Sequence, residues 1–286
     1  MTDEVIRVSS EWLALREPAD AAARARDLAE RLARQLPASD SWVIHDLGCG
    51  TGSMGRWLAP LLPGPQHWVL HDRDPDLLNV AVAGHPGAAA DGASVTFEVR
   101  RSDVTRLSPD DLAGATLITA SALLDLLTED ELAALVALCA AAGCPVLLTL
   151  SVVGRVELTP ADPLDGRVAA TFDAHQRRAT QRGRLLGPDA VARAVEEFGR
   201  LGAEVLIRPS PWRLGATEAG LAAEWFAGWL GAACEQQAEL AAETEAYARR
   251  RLAQASSGQL AVTVDHADLL ALPQRPERAP AAGQSV

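Results

Sequence analysis

The chain has 286 residues, 48% hydrophobic and 22% charged, with a formal net charge of −12. It is long enough for one core with extensions, lies far from the profile of a disordered chain, and is too acidic for broad binding to phosphate backbones. All 26 basic side chains are Arg, which excludes Schiff-base chemistry and a Walker-type phosphate loop, because both need a lysine amine.

Cys49, Cys139, Cys144 and Cys234 form no Cys-x-x-Cys pair and have no nearby His at ligand spacing, so they read as reduced thiols and no metal site is expected. The start of the chain has no basic stretch followed by an apolar run, and no apolar run approaches the roughly 20 residues of a membrane span. The expectation is a cytoplasmic protein with no membrane segment and no nucleic-acid partner.

From Pro18 to Leu36 the apolar positions recur at helical spacing, which predicts an amphipathic helix within an N-terminal cap of residues 1–41. Pro37–Ser41 breaks it. Short β-prone runs then alternate with helical ones: WVIHDL, a helix after Ser53, HWVLHD, a helix after Pro75, SVTFEV, ATLITAS, a helix over Thr128–Ala142, and PVLLTLS. Strands separated by helices predict parallel pairing through right-handed crossovers, hence an open α/β sheet.

Residues 154–187 are polar, carry Pro, Gly and a local cluster of Arg, and read as an irregular loop on the substrate side. A helix over Pro188–Leu201 and a strand near Ala203–Ile207 resume the pattern. Residues 216–257 predict a helical insertion of two helices before a last strand, QLAVTVDH. One domain thus covers 42–272, and the tail at 273–286 is expected to be disordered.

The most informative segment is VIHDLGCGTGSMGRWL, residues 43–58. A β-prone run ends at Asp46–Leu47, glycines follow at alternate positions, and a helix begins near Ser53. Such a turn needs unusual backbone angles and lets a ligand approach the main chain. Gly50, Gly52 and Gly55 satisfy a dinucleotide spacing, whereas Asp46, Gly48, Gly50 and Gly52 satisfy D-x-G-x-G-x-G. Register favours the second pattern: the first turn glycine is Gly48, and position 53, where a dinucleotide loop then wants its third glycine, is Ser. A carboxylate at this strand end also suits an ammonium and a sulfonium better than a pyrophosphate.

Asp72 ends the next strand, 20 residues after Gly52, where a carboxylate can accept from both ribose hydroxyls; the alternative is a helix cap, for which Asp74 before Pro75 is better placed. After the third strand, RRSDV places Asp103 to accept from an adenine amino group and Val104 to offer its amide, the alternative being an aspartate that caps a turn.

Together these segments resemble the class I S-adenosylmethionine (SAM) dependent methyltransferases: DLGCGTG is similar to the family's first motif, HDRDPDLL to its ribose-binding acidic motif, and RRSDV to its adenine motif. The resemblance covers roughly residues 42–151. It implies a Rossmann-like open twisted sheet of about seven strands, the last antiparallel, with helices on both faces and SAM as cofactor. It implies that Asp46 and the loop Gly48, Cys49, Gly50, Thr51 and Gly52 hold the methionine end, Asp72 the ribose, and Asp103 and Val104 the adenine, with Arg73 a further cofactor contact. The helices between the last two strands depart from the short hairpin usual in the family.

The fourth strand should deliver Thr119, Ala120 and Ser121 near the transferring methyl, with Asp125 one turn further on. No Asn/Asp-Pro-Pro-aromatic motif stands there, which lowers nucleobase N-methylation. His175 in the 154–187 segment is the candidate general base and Asp125 the alternative. Gln176, Arg177 and Arg178 are candidate substrate contacts, against the plainer reading of a solvated face.

Arg16, Asp20 and Arg24, four apart, read as ordinary ion pairs or as part of a lid over the pocket. Trp212, Trp225 and Trp229 read as packing, with Trp212 a candidate substrate contact. The last two, on one helix face, suit a pocket wall or a homodimer contact. The leading expectation is methyl transfer to a small-molecule acceptor at O, N or C in bacterial metabolism, with an NAD-dependent oxidoreductase and a non-catalytic SAM-binding regulator as alternatives.

Overall fold

A computed structural model describes residues 8–35 and 41–274. Most of the expected break at Pro37–Ser41, and the tail beyond residue 274, lie outside the described residues.

The elements run α1 (Ser10–Ala23), α2 (Arg26–Gln35), β1 (Trp42–Leu47), α3 (Ser53–Leu58), β2 (Gln66–Asp72), α4 (Pro75–Gly84), β3 (Val95–Arg101), β4 (Leu117–Ser121), α5 (Glu129–Ala141) and β5 (Val146–Thr159). They continue with α6 (Asp165–Gln176), β6 (Ala179–Thr180), β7 (Gly183–Arg184), α7 (Ala190–Arg200), β8 (Glu204–Pro209), β9 (Trp212–Leu214), α8 (Ala219–Gln236), α9 (Glu239–Glu243), α10 (Glu245–Ser256) and β10 (Ala261–Leu272).

The main sheet has the order β3-β2-β1-β4-β5-β10-β8, with β9 also paired to β10. β1 through β5 pair in parallel, and β10 runs antiparallel to both β5 and β8. The order reverses between β1 and β4, which opens a crevice at their carboxyl ends. This is the expected Rossmann-like open sheet with an antiparallel last strand.

Local chemistry sets the helix ends. Asp74 caps α4 by accepting from the Asp76 N–H at 2.9 Å, with Pro75 at the first helical position. Thr128 and Glu131 form a reciprocal capping box at the start of α5.

Two expectations are corrected. The single helix over Pro18–Leu36 is two helices, beginning earlier, at Ser10, where the Ser9 hydroxyl accepts the Trp12 N–H. They break at Arg24 and Ala25 because the Ala25 N–H is taken by the Asp268 carboxylate at 2.7 Å rather than by a carbonyl one turn back.

Residues 154–187 are not an irregular loop. β5 continues to Thr159 because β10 keeps pairing with it, Ala261 opposite Thr159 and Val264 opposite Val156. Then follow α6 and the small β6–β7 hairpin. The insertion before the last strand is helical as expected, in three pieces, α8 to α10.

The interior falls into three parts. One lies under α2, α3 and α4 and includes Ile44, Trp68 and Leu270; another lies under α5 and α7 and includes Ile118, Leu148 and Phe198. The third joins the overhanging ends of β5 and β10 to α6 and α8, around Phe226, Trp229 and Tyr247. Trp225 stacks on Trp229 with centroids 5.3 Å apart, so this pair is packing within the insertion.

Among the described residues, no helix is long and apolar enough to cross a membrane, and no group of three or more His, Cys, Asp or Glu side chains is placed to hold a metal.

Candidate active site

A cavity of about 520 Å³ opens at the carboxyl ends of β1 to β4, within the size range of small-ligand sites. Its floor is the turn after β1. Gly48, Gly50 and Gly52 all have positive φ, 67°, 53° and 82°, a left-handed backbone that residues with a Cβ adopt only at a cost. A Cβ at Gly50 would stand 3.2 Å from Leu13 Cδ1, so a side chain there would meet both a tight space and an unfavourable backbone.

Asp46 sits at the base of this turn, 1% exposed. Its Oδ1 accepts from the Thr119 hydroxyl at 2.8 Å, while Oδ2 is buried without a partner in the protein. Burial pushes the carboxyl up to about 7, against the Thr119 hydrogen bond and the Arg24 charge. Cys49 lines the cavity, and burial raises its thiol above the ordinary value.

Asp72 lies at the tip of β2. Its Oδ2 accepts the Gly50 N–H at 2.8 Å and its Oδ1 the Asp74 N–H at 2.9 Å. It therefore fixes the glycine turn against β2; it lines the cavity, and each oxygen, accepting one bond, keeps capacity to accept another. Asp103 likewise caps a turn, its Oδ1 accepting from the Thr105 N–H and hydroxyl at 3.0 and 2.8 Å, while it lines the cavity beside Val104. The capping reading and the ligand reading of these residues are compatible.

The roof comes from α1. Arg16 donates from Nε and Nη2 to the two oxygens of Asp20, at 2.9 and 3.2 Å, and Asp20 also accepts from the Trp212 indole at 2.9 Å. The guanidinium lies over the Trp212 ring, 4.9 Å from its centroid. Glu17 takes two 2.6 Å hydrogen bonds from Arg56, whose Nη1 donates to the Thr51 carbonyl. The helix is thereby fastened to the glycine turn.

Of the residues the sequence pointed to, Asp46, Gly48, Cys49, Gly50, Thr51, Asp72, Arg73, Asp103, Val104, Ser121, Arg16 and Asp20 line this cavity. Gly52, Thr119, Ala120, Arg24 and Trp212 do not line it. Thr119 is fully buried behind Asp46 and donates to it, so it orients that carboxylate and is not part of the cavity wall.

The candidate base His175 is not at the cavity. It ends α6, with Nε2 3.3 Å from Glu235 on α8, and burial lowers its pKa. Arg177 is paired with Asp189, and Arg178 donates to the His175 carbonyl. Gln176 packs against Gly187. A helix where a loop was expected turns this whole set away from the cavity wall. Asp125 does not line the cavity either; burial raises it to about 6, against the charges of Arg16 and Arg178.

Sequence reasoning missed the apolar part of the lining, formed by Trp12 and Leu13 of α1 with Leu123, Leu126 and Leu127 after β4. It also missed Arg182, at the tip of the β6–β7 hairpin, which lines the cavity while donating to Glu131 at 2.6 Å and to the Leu126 carbonyl at 3.3 Å. The run ALLDLL was the available signal for the leucines. Nothing local marked Arg182 among the 26 arginines.

No family model matches the chain, and no curated protein matches it. Solved structures with a similar fold include a cyclopropane synthase from Mycobacterium tuberculosis, 14% identical over 92% of this chain and 94% of that one, with a TM-score of 0.48. A SAM-dependent methyltransferase from Methanosarcina mazei is 11% identical over 83% and 95% of the two chains, TM-score 0.45. Magnesium protoporphyrin IX methyltransferase from Synechocystis PCC 6803, solved with SAH bound, is 15% identical over 72% and 82%, TM-score 0.42. At such distances the site is read from its own residues.

Proposed function

We propose that the protein is a SAM-dependent methyltransferase acting on a small-molecule acceptor. The observation that carries this reading is the unpartnered Asp46 Oδ2, buried at the base of the left-handed glycine turn. A buried carboxylate oxygen without a donor is costly, and a ligand ammonium supplies the missing donor. A dinucleotide would bring a pyrophosphate to the same turn, against the charge of Asp46; this argues against the oxidoreductase alternative.

The remaining wall fits the same ligand. Asp72 has lone pairs for ribose hydroxyls, and Asp103 with the Val104 amide stands where an adenine edge would be read. When bound, SAM supplies an electrophilic methyl group on a positively charged sulfur. The chain's part is to hold the acceptor in line and to exclude water. Trp12, Leu13, Leu123, Leu126 and Leu127 form an apolar wall suited to that, and proximity in a dry site is a large share of what such a reaction needs.

Calorimetric titration with SAM, S-adenosylhomocysteine (SAH) and NAD tests the assignment. The expected result is saturable binding of the first two alone, lost in Gly50→Val, whose branched side chain meets Leu13 in a left-handed backbone. Binding of NAD, or unchanged SAH affinity in a folded Gly50→Val protein, overturns it. Release of SAH from SAM in the presence of a metabolite extract separates an enzyme from a SAM-binding regulator.

A further inference from the structure

Two guanidiniums line the cavity together with its apolar residues. Arg16 comes from the roof helix α1 and Arg182 from the tip of the β6–β7 hairpin, and they share the lining with Trp12, Leu13, Leu123, Leu126 and Leu127. Both reach one turn, Leu124–Leu126: Arg16 lies near enough to Asp125 for its charge to act on that carboxyl, and Arg182 Nη2 donates to the Leu126 carbonyl at 3.3 Å.

Each guanidinium is held by a carboxylate that is the less exposed member of the pair. Asp20 accepts from Arg16 Nε and Nη2 and from the Trp212 indole, so its oxygens are committed to protein donors. Its side chain is 6% exposed against 14% for Arg16. Glu131 accepts from Arg182 Nη1 and from the Thr128 N–H, does not line the cavity, and is 17% exposed against 35% for Arg182. Asp125, which also feels the charge of Arg178, does not line the cavity either. In both pairs the cation is therefore the member presented to a ligand.

A guanidinium carries five N–H donors. The bonds above use Nε and Nη2 of Arg16 and both terminal nitrogens of Arg182, which leaves Nη1 of the first and Nε of the second for a ligand. Neither side chain has to be ordered anew: Arg16 lies over the Trp212 ring, and the hairpin that carries Arg182 is tied to the leucine segment by the Leu186 N–H, which donates to the Leu127 carbonyl at 2.9 Å. Fixed donors of this kind, set among apolar side chains that screen charge less than water does, suit an anion attached to an apolar body.

We infer that the methyl acceptor is a small molecule with a carboxylate at one end of an apolar body, the body lying against Trp12 and the leucines and the carboxylate received by Arg16 and Arg182. The inference rests on the methyltransferase reading and names the class of its acceptor. The two arginines are specificity-determining residues, which select an acid over a neutral molecule of the same shape.

The test is calorimetric titration of the SAH-saturated protein with hexanoate, decanoate and 3-phenylpropanoate, each compared with its own primary amide. The wild type is expected to bind at least one of these acids about tenfold or more tighter than its amide, the usual scale for charge-assisted hydrogen bonds. Arg16→Gln and Arg182→Gln are each expected to lose most of that preference while keeping the affinity for the amide. A role in packing alone would instead weaken acid and amide in parallel.

Arg182 is the more exposed of the two, so Arg182→Gln decides the matter if Arg16→Gln fails to fold. Amides that bind as well as their acids, a preference that survives in the variants, parallel weakening of acid and amide, or no binding of any acid to the SAH-loaded protein overturns the inference. Failure of the wild type to bind SAH at all overturns the cofactor reading itself, a separate outcome.

Discussion

The carboxylate of Asp268, in β10, accepts the backbone N–H of Ala25 at 2.7 Å, pinning the junction of the first two helices to a strand 243 residues later. Its other oxygen accepts the Leu150 N–H at 2.8 Å and the Ser210 hydroxyl at 2.6 Å. Leu150 has a positive φ of 56°, so the same side chain supports a strained residue at the bend of β5.

Replacing Asp268 with Ala leaves the buried Leu150 N–H and the half-buried Ala25 N–H without acceptors. The expected loss is about 3 kcal/mol or more in urea unfolding. Because the roof helix is anchored through Ala25, ligand affinity should fall as well. An Asp268→Ala protein as stable as wild type would show that this fully buried carboxylate is not a structural tie.

Asp46 predicts a pH dependence of binding. Its carboxyl is raised to about 7 by burial, so below that pH the ligand-free protein holds it protonated, and an ammonium requires it ionised. SAM affinity should rise by up to about tenfold per pH unit as pH approaches 7, and level off above. Binding within that window should release a proton, seen as a dependence of binding heat on the buffer. Asp46→Asn should flatten the profile. The sign for folding is opposite: with the folded value above the unfolded 3.8, the stability Asp46 contributes is fully present below 3.8 and lost as pH rises through 7.

Asp72→Ala should lower both cofactor affinity and stability, the former by about 1–3 kcal/mol. One side chain accepts from Gly50 and Asp74 and also faces the cavity, so the two effects cannot be separated by truncation. Asp72→Asn retains one acceptor oxygen and should fall between wild type and Ala in both measurements.

His45 and His71 lie buried in β1 and β2 with Nδ1 and Nε2 3.0 Å apart, and His71 Nδ1 is 2.9 Å from the Ser102 hydroxyl. Burial lowers both to about 4, with the charges of His71 and Arg100 adding to the effect on His45 and that of Arg100 to the effect on His71. The unfolded chain protonates them near 6.5, so their contribution to stability is lost as pH falls from 6.5 toward 4. Relative to wild type, His45→Gln should therefore gain stability over that interval. Parallel stability curves would mean that the pair is solvated in the native state.

The sheet was legible because each parallel strand is an apolar run that ends in a turn signal, as WVIHDL ends before Gly48 and HWVLHD before the Asp74–Pro75 cap. The cofactor side was legible for the same reason: its residues cluster where strands end. What stayed hidden depends on partners far along the chain. In SVVGRVELT the alternation of Val152, Val156 and Leu158 with Val153, Arg155 and Glu157 marks a strand, but Gly154 and the charges disguise it, and its partner β10 comes a hundred residues later.

Spacing found the Arg16–Asp20 pair but not the other partners of this segment. The partners of Asp20 on its two sides are Arg16 and Trp212, while Arg24, four residues on, turns inward to Ser53 and Ser121. For His175 the missed pattern was Val168 and Phe172, which set the packing face of α6 toward α8 and carry the imidazole away from the cavity.

The order of synthesis gives β10 a particular weight. It is made after every other described strand, yet it lies between β5 and β8 rather than at an edge. Until it leaves the ribosome, β8 has no place in the sheet, the overhang of β5 is unpaired, and the Ala25 and Leu150 N–H groups await Asp268. The parallel half can collect beforehand, but the roof helix cannot settle over the glycine turn until the final strand inserts. A nascent chain should therefore become resistant to protease, and competent to bind ligand, only once β10 has left the ribosome and in one step.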